Sequence, residues 1–156
     1  MKEERHISAL LGYYELGMMD ESLEELSHLS PDKRADPHVL QLEAAIHIRA
    51  GHFDRGLETA DKLCFIVPES PAGWLDRAFC LHELDRTLEA KACLLTGPAS
   101  LRGHALYYYN LACYEAQLGN VEAARSYLEK AVLMEVRFQE ASRRDPDLKP
   151  LFSSLD

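Results

Sequence analysis

A chain of 156 residues with 47% hydrophobic side chains, one Trp, seven Tyr and five Phe is long and apolar enough to bury one core, which excludes a disordered polymer. Its 26 acidic side chains against 17 basic ones give a formal net charge of -9, a balance that repels phosphate backbones and anionic lipid, so neither nucleic acid nor a membrane is an expected partner. Residues 1 to 36 hold nine acidic and four basic side chains, which a solvated end cap explains more simply than a docking surface for a basic partner.

A first helix is predicted from about Glu4 to Leu16, with Ile7, Leu10, Leu11 and Tyr14 at helical spacing and Gly17 as its left-handed terminator. A second runs from Asp20, read as an N-cap, to about Leu29, where Ser30-Pro31 stops it. Asp36-Pro37 opens the next helix, with Pro37 at the first helical position, where a missing amide hydrogen is harmless; Ser70-Pro71 repeats the device. Between them lie a helix through Leu40, Ala44 and Ile48, the turn Ala50-Gly51-His52, and a helix from Asp54 to about Ile66. Gly56 lowers helix propensity by about 1 kcal/mol unless a neighbouring helix presses close there. Trp74, Ala78 and Leu81 mark a further helix, with Trp74 expected between adjacent helices. It ends at Asp85, where the turn asks for a positive φ that Gly adopts more freely than Asp. Asp85→Gly is therefore expected to raise the denaturation midpoint, by a few tenths to about 1 kcal/mol of stability. The helix that follows stops at Gly97-Pro98, and the loop Pro98 to Gly103 is the least regular joint, where a bend or hinge is expected. Two further helices flank Gly119: Tyr108, Leu111, Ala112 and Glu115 precede it, and Ala124, Leu128 and Ala131 follow. In residues 139–156, Leu148, Leu151, Phe152 and Leu155 are apolar anchors for a terminal cap, the alternative being a free tail with a recognition motif.

Four stretches share one register at a spacing of 34 residues. His6, Leu40, Trp74 and Tyr108 occupy the leading large position, and Leu10, Ala44, Ala78 and Ala112 the small one. The turn reads Gly17, Gly51, Asp85 and Gly119; the second helix opens on Ser22, Gly56, Ala90 and Ala124, with Leu26, Ala60, Leu94 and Leu128 one turn on. No insertion breaks the phase. The pattern resembles the tetratricopeptide repeat. That resemblance implies an all-α, right-handed solenoid of four helical hairpins in a single domain, with repeats at about 3–36, 37–70, 71–104 and 105–138 and a C-terminal capping segment over 139–156.

Motifs that carry chemistry are missing from the sequence. It has no Gly-rich phosphate loop, no Gly-x-Ser-x-Gly elbow and no His-Glu-x-x-His helix, so no catalytic residue is assigned. Cys64, Cys80, Cys93 and Cys113 are far apart on apolar helix positions, and none has a His at ligand spacing. They read as core thiols of a reducing compartment, and no metal or cofactor is expected. Carboxylate pairs such as Asp145 and Asp147 read as ordinary solvated surface. The opening MKEERHISALLGYYELGMM mixes acids into its start and into its apolar run, unlike a secretion signal. A cytoplasmic location is the expectation.

The resemblance further implies that the first helix of each repeat lines a concave groove. The positions carried over include Ile7, Leu11 and Tyr14, then Leu42, Ile48 and Arg49, then Leu75, Asp76 and Phe79, and finally Tyr109 and Asn110. Such a groove is mainly apolar and slightly acidic, and suits a partner's helix or extended peptide with apolar anchors and some Lys or Arg. The clamp by which one subfamily holds acidic chaperone tails is not matched, because its positions read Ile7, Leu11, Leu42, Ala72 and Asp76. The expected function is non-catalytic protein binding by an adaptor or scaffold. The alternatives are a small acidic secretion-type chaperone and a scaffold that homodimerises through the same apolar surface.

Overall fold

The computed structural model describes residues 2–153, so Leu155, expected among the cap's anchors, lies outside the described residues. Four antiparallel helical hairpins follow one another: α1 (Lys2–Glu15) with α2 (Met19–Ser27), α4 (Pro37–Arg49) with α5 (Phe53–Ile66), α6 (Pro71–Glu83) with α7 (Thr87–Thr96), and α8 (Ala105–Gln117) with α9 (Val121–Met134). A one-turn helix, α3 (Pro31–Arg34), precedes the second hairpin, and α10 (Arg137–Arg144) and α11 (Lys149–Ser153) close the chain.

One backbone device makes every hairpin. The turn residue has positive φ in each, 77° at Gly17, 78° at Gly51, 61° at Asp85 and 85° at Gly119. The next amide then reaches back over the helix end, from Met18 to the Tyr13 carbonyl, His52 to His47, Arg86 to Leu81 and Asn120 to Glu115, at 2.8 to 2.9 Å. This is the Schellman closure, which satisfies carbonyls a helix end otherwise strands. Beyond it, the small residues Ser22, Gly56, Ala90 and Ala124 are all buried, so the paired helices pack closely. At Gly56 an added Cβ would lie 2.9 Å from Cys80 Sγ and 3.4 Å from Ile48 Cγ1, which is why glycine stands there despite its poor helix propensity.

Two apolar clusters result. The larger runs from Ala78 and Leu81 through Leu94, Leu111 and Ala131 to Leu148 and Leu151, uniting the last two hairpins with the closing segment. The smaller holds Leu10, Leu26, Leu29, Val39 and Ile46 around the first hairpin.

Several local expectations are corrected. Asp20 is not the cap of α2; the left-handed turn feeds straight into the helix, so Met18 is the N-cap residue, with no side-chain bond, and Asp20 sits in the first turn, where its charge still suits the helix dipole. Ser30-Pro31 opens α3, with the Ser30 hydroxyl accepting from the Lys33 amide at 3.3 Å. The joint after Gly97 is pinned: Ala99–Gly103 forms a 3-10 helix whose Leu101 is 1% exposed, and Ser100 Oγ donates to the Glu69 carbonyl at 2.9 Å. Trp74 is half-buried, its ring lying over Gly97 and its indole N–H donating to the Pro68 carbonyl at 2.9 Å. The described part of the tail is packed, with Leu148 and Leu151 buried and Phe152 partly exposed.

Candidate functional site

The first helices of the hairpins stand side by side, α4 against α6 and α6 against α8. Each turn of such a helix brings a new residue to the shared face. Ile48 at the end of α4, Leu75, Asp76 and Phe79 on α6, and Leu106, Tyr109 and Asn110 on α8 line one cavity of about 350 Å³. Six of the sequence-predicted groove positions are therefore brought together there: Ile48, Leu75, Asp76, Phe79, Tyr109 and Asn110. The other five lie elsewhere. Ile7, Tyr14 and Leu42 pack against the first-hairpin cluster, and Leu11 is 38% exposed. The Arg49 guanidinium lies 4.8 Å from the Tyr14 ring centre and donates to the Tyr14 carbonyl at 2.5 Å, so it is committed within the chain.

The floor of the cavity comes from a segment that was expected to be solvated surface. After α10 the chain turns through Asp145, a 3-10 helix at Pro146–Leu148, and α11. Asp145 Oδ1 accepts from the Asp147 amide at 3.0 Å, which fixes both carboxylates against α6 and α8. The Tyr109 hydroxyl donates to Asp145 Oδ2 at 2.7 Å and Cys113 Sγ approaches the same oxygen at 3.7 Å. Gln117 Nε2 donates to the Asp147 carbonyl at 2.8 Å, while His82 Nε2 lies 2.9 Å from Asp147 Oδ2 and His82 Nδ1 2.9 Å from the Thr87 hydroxyl. Tyr109 is consequently buried, not an open groove side chain, because the chain's own tail covers it. The Asp-Pro-Asp-Leu string was visible in the sequence, but nothing local says that its carboxylates return to α8.

Cys113 Sγ and carboxylate oxygens of Asp145 and Asp147 lie within 4.8 Å of one another. Burial, and then Asp145, push the Cys113 thiol far above its ordinary pKa, and burial followed by the Asp145 bond does the same to the Tyr109 hydroxyl. Both groups stay protonated as hydrogen-bond donors to carboxylate, so the trio works as a structural network that ties the tail to α8.

Asp76 differs from these acids. It forms no ion pair or hydrogen bond among the described residues, and burial raises its carboxyl from 3.8 to about 6. Beside it Phe79 and Leu106 are 36% and 41% exposed, and the Phe79 ring rests 6.1 Å from that of Phe53. The cavity thus pairs open apolar side chains with an unneutralised acid.

No protein-family model matches the chain, and no curated protein matches it. Among solved structures, one described as "MamA RS-1 ArsTM double mutant" has a TM-score of 0.76 with this chain, spanning 99% of it and 97% of the other, at 18% identity. The fold is a tetratricopeptide-like helical solenoid. At that identity the likeness shows architecture alone: an all-α stack of helical hairpins closed by a C-terminal cap, the class that the four-fold register implies. No helix among the described residues is long and apolar enough to cross a membrane.

Proposed function

We propose that the chain is a single tetratricopeptide domain, comprising the four repeats and cap described above, that acts without catalysis as a cytoplasmic protein-interaction module. A helix or extended segment of a partner protein lies along the first helices of the repeats, with apolar side chains against Leu75, Phe79 and Leu106. The observation that carries this reading is the cavity between α6 and α8, where the open apolar side chains of Phe79 and Leu106 stand beside Asp76, an acid with no ion pair or hydrogen bond among the described residues. Such patches on a folded surface mark interaction sites. The tetratricopeptide-like fold is one that typically binds and does not catalyse.

A homo-oligomerising scaffold is the second reading. It is favoured by a separate apolar cavity of about 540 Å³ between α9, α10 and α11, lined in part by Leu133 and Phe152, which are 86% and 36% exposed. A mass in solution that rises with concentration, and is reset by Leu133→Glu, would favour it.

The groove reading is tested by affinity capture from the source cell, comparing wild type with Phe79→Glu, Leu106→Glu. Tyr109 is left alone because its hydroxyl holds the tail. With folding of the variant verified by circular dichroism, selective loss of a captured protein supports the groove, and its binding segment is then mapped on overlapping peptides. Identical capture by both chains removes function from this face.

A further inference from the structure

The cavity between α6 and α8 is lined by four acids, Asp76, Glu83, Asp145 and Asp147, and by no Lys or Arg. Two of these acids are already engaged, Asp145 by Tyr109 and Cys113, and Asp147 by His82. Asp76 and Glu83 have no ion pair or hydrogen bond among the described residues. They lie seven residues apart on α6, two helical turns along one face. A buried hydroxyl beside the cavity is also unsatisfied. The Tyr114 hydroxyl, on a side chain 2% exposed that also lines the cavity, has no hydrogen-bond partner, and buried hydroxyls in native folds rarely go unpaired.

An unneutralised carboxylate between apolar walls is unfavourable in the free protein, and a cation brought by a ligand relieves it. The walls decide which cation fits. Leu75, Phe79, Leu106 and Tyr109 offer apolar and aromatic surface, which suits a flat, weakly hydrated guanidinium better than a compact ammonium or a hydrated metal ion. The opening also fits, since the cavity's about 350 Å³ holds one long side chain and not a folded element.

We propose that this cavity takes the guanidinium of one arginine on the partner segment, with Asp76 as its direct charge partner and Glu83 and Asp147 adding to the field. The assignment rests on the groove reading above and narrows it: the partner carries an arginine flanked by apolar residues. Asp76 is then the specificity residue of the groove. The apolar contacts hold the segment, and Asp76 selects which side chain enters.

The test uses the full chain, labelled with nitrogen-15, and two probes, Ac-Leu-Arg-Phe-NH2 and the same peptide with citrulline in place of arginine. Citrulline keeps the shape and removes the charge. The expected result is that the arginine peptide shifts amides around Asp76, Phe79 and Glu83 and binds about tenfold or more tightly than the citrulline peptide. Asp76→Asn should abolish that difference and leave citrulline binding unchanged. Equal affinity for the two peptides overturns the arginine site, while the apolar groove still stands on the capture experiment. Shifts on another face, no shift with either peptide at millimolar concentration, or an unaltered preference in Asp76→Asn also overturn it. Zinc or calcium ions alone, saturating the same amides and displacing the arginine peptide, would make the cavity a metal site instead and overturn it too.

Discussion

At the scale of single residues, Asp76 carries a stability signature of its own. The folded chain holds its proton up to about pH 6, against 3.8 for an ordinary Asp, because burial penalises the charged carboxylate. The folded state therefore binds more protons than the unfolded state between the two values. Stability from this group is full below about pH 4, falls as the pH rises to about 6, and is flat above. Other ionisable groups surround Asp76, namely Cys80, His82 and Glu83 on α6, Tyr109 and Cys113 on α8, and Asp145 and Asp147 in the tail. Comparing Asp76→Asn with wild type at each pH cancels their shared contribution. Asn cannot ionise, so the variant should gain about 1 to 3 kcal/mol over wild type in urea unfolding at pH 7.5 and nothing near pH 4. A variant less stable at neutral pH would mean that a cation already neutralises Asp76. The Asp85→Gly expectation also acquires a basis at this scale, since Asp85 has a φ of 61° and its side chain makes no bond among the described residues. For Trp74→Ala, the half-exposed indole lowers the expected loss to about 2 to 3 kcal/mol, below that of a fully buried aromatic.

At the scale of elements, the constraint that sequence periodicity conveys best is close approach of paired helices. Ser22, Gly56, Ala90 and Ala124 could be read as small from the register alone, and the structure shows what Gly56 must clear. Gly56→Ala recovers about 1 kcal/mol of helix propensity but drives a methyl to 2.9 Å from the buried Cys80 sulfur. Overpacking wins, and a net loss of about 1 to 2 kcal/mol is expected. Cys80→Ala in the same chain should recover most of it, so a double-mutant cycle by chemical denaturation would show favourable coupling. Additive effects would mean that α5 and α6 shift apart freely. The hairpins were legible because their signals are local: Gly or Asp at a turn, Pro after a cap, apolar residues at helical spacing. Non-local partnerships were not. Leu101 in a loop bracketed by Gly97 and Gly103 looked like part of a hinge, yet it is buried, and no spacing rule tells one loop leucine from another. Asp145 and Asp147 looked like surface acids, since their partners Tyr109 and His82 lie 36 and 65 residues away. The lining of the cavity between α6 and α8 was half legible for the same reason. Its positions on α6 and α8 could be carried over from the register, but the tail that buries Tyr109 and the Tyr14 carbonyl that claims Arg49 could not.

At the scale of the whole molecule, the two apolar clusters imply uneven stability. In a stack of hairpins each unit is stabilised mainly by its neighbours, so an end without a large shared core opens first. The first hairpin has the small cluster, whereas the last two share theirs with the tail. Leu148, fully buried in the large cluster next to the Asp145 network, is with Leu151 an apolar anchor that joins tail to stack. Leu148→Ala should therefore destabilise by about 2 to 5 kcal/mol, and amide hydrogen exchange should show where. Protection should fall most in α8 and α9, and little in α1 and α2, which are expected to exchange fastest in wild type. Uniform loss along the chain would mean that the four hairpins unfold as one unit. No loss at all would mean that the tail is an ornament, and that Tyr109 is available to a partner after all. The predicted pattern instead makes the tail a structural wall of the cavity between α6 and α8: the last hairpin must be capped before that cavity is complete.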